Sequence, residues 1–108
     1  MESKSIERLK INVLDSTKSF QQIINENRLD ICDKILESID FSIKENLDQV
    51  LMAEIIIDGV SYGVMTKKDT WLSNLDKCIK YYEYYEMYEM CDKCVKLKCS
   101  AESHLNSV

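Results

Sequence analysis

Cys91, Cys94, Cys99 and His104 stand at the spacing C-x2-C-x4-C-x4-H. Four soft or borderline ligands on short spacers are what a tetrahedral zinc site needs. Cys91-x-x-Cys94 also has the spacing of a redox dithiol, which works at a helix N-terminus following a strand. Just upstream lies a second unusual set. Five of the six tyrosines and three of the five cysteines fall within residues 81–99, YYEYYEMYEMCDKCVKLKC.

Each reading has a competitor. The Cys-His spacing resembles a retroviral-type zinc knuckle with its last two ligand types exchanged. That resemblance implies a zinc-stabilised nucleic-acid-binding module. A knuckle, however, carries glycines and an aromatic platform between its ligands, and this segment has neither. If it is a helix, Cys99 stands about 80° around the axis from Cys91 and about 140° from Cys94. Free cysteine is also among the most buried residue types, so packing competes with ligation. No strand pattern precedes Cys91 to support a redox pair. Metal is therefore not favoured, and no cofactor is expected.

Catalysis has little to work with. The chain contains one histidine, His104, and neither GxGxxG, a phosphate loop nor HExxH. A Ser-His or Cys-His pair would rest on a residue of the polar C-terminal stretch.

The tyrosines point elsewhere. Tyr81, Tyr84, Tyr85 and Tyr88 cover more of a helix than one core face can use, with Tyr82 and Tyr85 the natural core pair. Glu83, Glu86 and Glu89 punctuate them. Tyrosine contributes large contact area with little rotamer entropy, and carboxylates repel phosphate. The set reads as a protein-binding face rather than a nucleic-acid one. Residues Tyr85–Leu97, YEMYEMCDKCVKL, resemble the second half of the UVR-type helical hairpin of excision-repair and related proteins. Tyr88-Glu89 take the place of its acidic-aromatic run, and Cys91 that of a small partner-facing residue. The Arg-Asp pair typical of that motif is absent. The resemblance covers under a third of the chain and implies a helical hairpin used for protein contact.

The charge balance agrees. The net charge is −5 with signs interspersed, so no basic face attracts nucleic acid or anionic lipid. No apolar run approaches the roughly 20 residues of a membrane span. MESKSIERLK has no signal-peptide core, and five cysteines in a helical context suggest reduced thiols in a cytoplasm. Abundant isoleucine and lysine, with scarce alanine and arginine and no proline, are the usage of an AT-rich genome, such as a low-GC bacterium or its phage.

The elements that must position these residues follow from periodicity. At 108 residues one small domain is expected, with 100–108 a frayed polar tail. Ile6, Leu9, Val13, Thr17, Phe20 and Ile24 step by three or four. They predict a helix capped at Ser3 or Ser5 and stopped at Asn25–Asn27. Cys32, Ile35, Leu36, Ile39, Ile43, Leu47, Val50 and Leu51 predict a second helix over Arg28–Met52, closing a long α-hairpin. Asp58-Gly59 between β-branched runs predicts a β-hairpin with a type I′ turn. A third helix, capped by Asp69 or Thr70, opens on Trp71 with the stripe Trp71, Leu75, Cys78, Tyr82, Tyr85. The apolar set then shifts to Tyr84, Tyr88, Cys91, Val95. This phase slip predicts a break, or a rotation of the exposed face, near Glu86-Met87. The expected fold is α+β and predominantly helical. The expected function is non-enzymatic: a small adaptor, inhibitor or assembly factor that binds another protein or a second copy of itself.

Overall fold

The computed structural model describes residues 5–106. They form, in chain order, β1 (Leu9–Val13), α1 (Phe20–Glu26), α2 (Arg28–Glu45), β2 (Gln49–Ile57), β3 (Val60–Lys67), a 3-10 turn (Lys68–Thr70), α3 (Trp71–Tyr84) and α4 (Tyr88–Asn106). The α+β class with a helical majority holds. None of the described helices is long and apolar enough to cross a membrane.

The expected N-terminal α-hairpin does not form. Residues 9–13 are a strand, parallel to β2 in the register Leu9↔Ala53, Ile11↔Ile55, Val13↔Ile57. Leu9 and Val13 stand a helical step apart, but Leu9, Ile11 and Val13 also alternate, and the neighbouring β2 resolves the ambiguity. The helix begins instead at Ser19, whose side chain accepts from the Gln22 N–H while the Gln22 side chain accepts from the Ser19 N–H. This capping box was present in the sequence as Ser19-x-x-Gln22. The Ser3 cap lies outside the described residues.

α2 starts at Arg28 as expected but stops at Glu45, well short of Met52. Asn46 adopts φ 54°, ψ 52°, and the Leu47 N–H donates to the Ser42 carbonyl. This is a left-handed helix stop that asparagine tolerates. Val50 and Leu51 consequently belong to β2, where Val50 is buried.

The β-hairpin falls where Asp58-Gly59 placed it. Both turn residues have positive φ, 50° and 78°, and Ile57 pairs with Val60 across them. The sheet order is β1-β2-β3, with a register shift in β2 between Leu51 and Ala53.

α2 separates two cores. Ile31 joins Ile11, Ile23, Met52, Ala53 and Ile55 beneath the sheet. Cys32, Leu36 and Ile39 join Trp71, Leu75, Cys78, Tyr82, Cys94 and Ala101 between the helices. The seam between the cores is polar and satisfied. Buried Ser38 donates to Thr66 Oγ1 at 2.8 Å, and Thr66 donates to Met52 Sδ at 2.9 Å.

α4 continues through the region expected to fray. It reaches Asn106, with Ala101 fully buried against the other helices; residues 107 and 108 lie outside the described part. The small Cys94 and Ala101 let α4 approach closely, since interaxial distance follows side-chain size at the contact.

Candidate protein-binding surface at the α3–α4 elbow

α3 buries Trp71, Leu75, Cys78 and Tyr82 completely. Tyr82 is the last of the stripe. Its hydroxyl donates to Asp33 Oδ1 at 2.6 Å, and burial, then this bond, pushes its pKa up.

One turn later the helix stops. The Glu86 N–H donates to the Glu83 carbonyl (3.0 Å) and the Met87 N–H to the Tyr82 carbonyl (2.8 Å). These two bonds are a Schellman stop, with Glu86 in the left-handed position at φ 57°. Met87 then accepts from the Met90 and Cys91 N–H groups and opens α4. The phase slip read from the sequence is therefore a break into two helices.

The stop decides which tyrosines are exposed. Tyr84, Tyr85 and Tyr88 are 80%, 51% and 66% exposed, and Met87 between them is 37% exposed. Tyr85 was expected in the core stripe, but it caps the end of α3, past Tyr82, the last buried position. It stands edge-on to Tyr84, centroids 5.0 Å apart and ring planes at 87°. The set Tyr84, Tyr88, Cys91, Val95 is not the core face either: Val95 is 50% exposed, and α4 buries Cys94 and Ala101 instead. Tyr81 is set apart from the others. It is half-buried, with the Arg28 guanidinium 4.0 Å above its ring centroid. That stack is a cation–π contact, and it ties Tyr81 to α2.

Glu83, Glu86 and Glu89 are all exposed around this patch. Among the described residues none of them forms an ion pair, whereas Glu26, Glu37, Asp40, Glu54, Asp76 and Asp92 all do. The elbow thus combines exposed aromatic side chains with uncompensated negative charge. Met87 completes the patch and was missed in the sequence, where nothing distinguished it from a core methionine.

Glu86 holds a conformation that costs a non-glycine residue roughly 1–2 kcal/mol. Replacing it by glycine removes that strain, because glycine adopts a left-handed φ without steric cost. We expect Glu86→Gly to stabilise the fold by about 1 kcal/mol, read as a raised urea midpoint at unchanged slope.

The Cys-His set is not assembled. Among the described residues no three His, Cys, Asp or Glu side chains come together as a metal-binding group. Cys94 is buried, Cys91 is half-buried with its thiol directed at the Ile79 carbonyl, and Cys99 is exposed. His104 lies beside Trp71, rings 5.8 Å apart. The helical geometry separates ligands that the spacing alone would have grouped.

The buried thiols are packing groups. Cys32 and Cys78 share a hydrogen bond that lowers the Cys32 pKa and, together with burial, raises that of Cys78. Burial pushes Cys94 up to about 11, from an ordinary 9.0. The sign for stability follows. The unfolded thiol ionises first, so the Cys94 contribution is intact below pH 9 and is lost as pH rises through about 11. We expect the fold to lose about 2–3 kcal/mol over that interval from this thiol. Cys94→Ala should flatten that part of the denaturant-stability profile against pH.

α3 and α4 pack against each other across the elbow, with Lys98 of α4 paired to Asp76 of α3 at 2.9 Å. No family model, curated protein or solved structure matches this chain at a significant level.

Proposed function

We propose that the protein acts without catalysis of its own, as a small adaptor, inhibitor or assembly factor that grips another protein through the α3–α4 elbow. The observation that carries this reading is the exposure of Tyr84, Tyr85 and Tyr88 within five residues spanning a strained helix stop. Solvent-exposed tyrosines contribute nothing to the core. Held on two packed helices, they can be covered by a partner at small entropic cost. Strain kept at a surface turn is of the kind that accompanies binding sites.

The free carboxylates of Glu83, Glu86 and Glu89 define the partner chemistry as a basic protein surface. Lysine or arginine side chains would meet the carboxylates and lie over the tyrosine rings. The test is affinity capture from native lysate with mass spectrometry. The wild-type chain and the Tyr84→Ala/Tyr88→Ala variant serve as baits. A basic protein held by the first and lost by the second supports the elbow. Equal capture by both baits would place the contact elsewhere.

A further inference from the structure

β3 ends the sheet, and no described strand lies beyond it. Natural edge strands are blunted by shortness, proline, bulges or inward lysines. β3 is eight residues long and lacks proline. The sheet's register shift belongs to β2, and the one charged residue of β3 is Lys67, at its end. Val60, Tyr62 and Met65 are 52%, 49% and 39% exposed. The opposite edge, β1, is five residues long and carries Lys10.

The two-residue turn fixes which backbone groups are free. Ile57 and Val60 close it, so Val60, Tyr62 and Val64 direct their N–H and C=O groups at β2. Ser61, Gly63 and Met65 turn theirs outward.

We propose that this edge pairs with itself: β3 of a second copy lies antiparallel to it about a two-fold axis through Gly63, making one six-stranded sheet. Charge chooses this occupant and this register. With Gly63 opposite Gly63, Asp58 of each copy faces Lys68 of the other, with Lys67 beside it. The symmetry of the pairing repeats this match at both ends. Moving the axis by one residue sets Asp58 against Thr66 or Thr70 and loses the match. Among the described residues Asp58 and Lys67 form no ion pair, and Lys68 reaches Asp48 only at 4.0 Å. The same register places Tyr62 beside Val64 of the other copy, an aromatic–β-branched pair of the favourable kind. The axis residue has no side chain to obstruct close approach; a Cβ there would already meet Leu51 Cδ1 at 3.0 Å. The net charge of −5 on each copy is screened beyond about 8 Å at physiological salt, so the local match governs the contact. Such a dimer would carry two elbows and bind a repeated partner with avidity.

Sedimentation and native mass spectrometry of the full chain should show a concentration-dependent species of twice the 12.6 kDa protomer mass. In hydrogen exchange the amides of Ser61, Gly63 and Met65 should gain protection only in that species. Ser61→Pro removes an outward N–H that β2 does not use, and should raise the dissociation constant roughly 100-fold or more. Met65→Lys, which leaves the backbone intact, should do the same if the proline variant folds poorly. Asp58→Asn keeps a residue suited to the left-handed turn and should weaken the dimer by about 3- to 10-fold while removing its salt dependence. A chain that stays monomeric at the highest soluble concentration overturns the proposal. So does a dimer that survives both Ser61→Pro and Met65→Lys, or one abolished instead by Tyr84→Ala/Tyr88→Ala. Protection of the β3 amides only when a foreign extended strand is supplied would likewise exclude self-pairing.

Discussion

Trp71→Ala will destabilise the protein by about 3–5 kcal/mol, while Trp71→Phe will stay within about 1 kcal/mol of wild type. Trp71 is fully buried at the first position of α3 and packs in the helical core with Leu75 and Cys78. Truncation to alanine removes the ring and leaves a cavity among α2, α3 and α4 that packed helices close only in part. Phenylalanine keeps much of that volume. It also deletes a group that the fold leaves unsatisfied, since the Trp71 indole N–H has no hydrogen-bond acceptor among the described residues. An orphaned buried donor costs about 1–3 kcal/mol, and its removal offsets the smaller ring's lost contacts. Urea denaturation followed by far-UV circular dichroism reads both variants; fluorescence would not, because Trp71 is the sole tryptophan. A phenylalanine variant as unstable as the alanine one would show that the indole N–H is satisfied in solution.

The Tyr84→Ala/Tyr88→Ala variant will lose about 100-fold or more in affinity for the captured partner without a matching loss of stability. Central interface tyrosines each contribute about 2 kcal/mol or more when truncated, non-additively. Both rings are largely exposed, so folding stability should move by no more than about 0.5 kcal/mol. Tyr81→Ala provides the contrast. It breaks the stack with Arg28, so about 0.5–1 kcal/mol of folding stability should go while the partner's affinity is largely kept. Glu83→Gln/Glu89→Gln should slow association and reduce its salt dependence, leaving dissociation nearly unchanged. Calorimetric or surface-based titration of the three variants against the identified partner checks the set. Equal losses for Tyr81→Ala and the double variant would place the contact on α3 as a whole.

Glu86→Gly bears on the same surface from the stability side. Its predicted gain marks a position where the chain keeps strain, and α2 provides the internal comparison. The same stop at Asn46 uses a residue that tolerates the left-handed region. A glycine at 86 would also loosen the turn between Tyr85 and Tyr88, so tighter folding combined with weaker binding is the expected pairing.

Sequence alone determined the features set by local physics. Asp58-Gly59 fixed the hairpin because both central residues of its turn need positive φ. The four-three-four spacing of Trp71, Leu75, Cys78 and Tyr82 fixed the buried face of α3, and the slip after it located the elbow. Three outcomes depended on tertiary structure. Leu9 and Val13 stand a helical step apart, but with Ile11 they also alternate, and they became a strand because β2 offered a parallel partner. Val50 and Leu51 continued the stripe of α2 in sequence, but the left-handed stop at Asn46 released them to the sheet. Cys91, Cys94, Cys99 and His104 had the spacing of a metal site, but one continuous helix distributes them around its axis. Only the packing of α3 and α4 against α2 decided that Tyr82 is core, Tyr81 is held by Arg28, and Tyr84, Tyr85 and Tyr88 are exposed. Composition cannot make that division, because the five residues are chemically identical and differ only in which side of a packed helix they occupy.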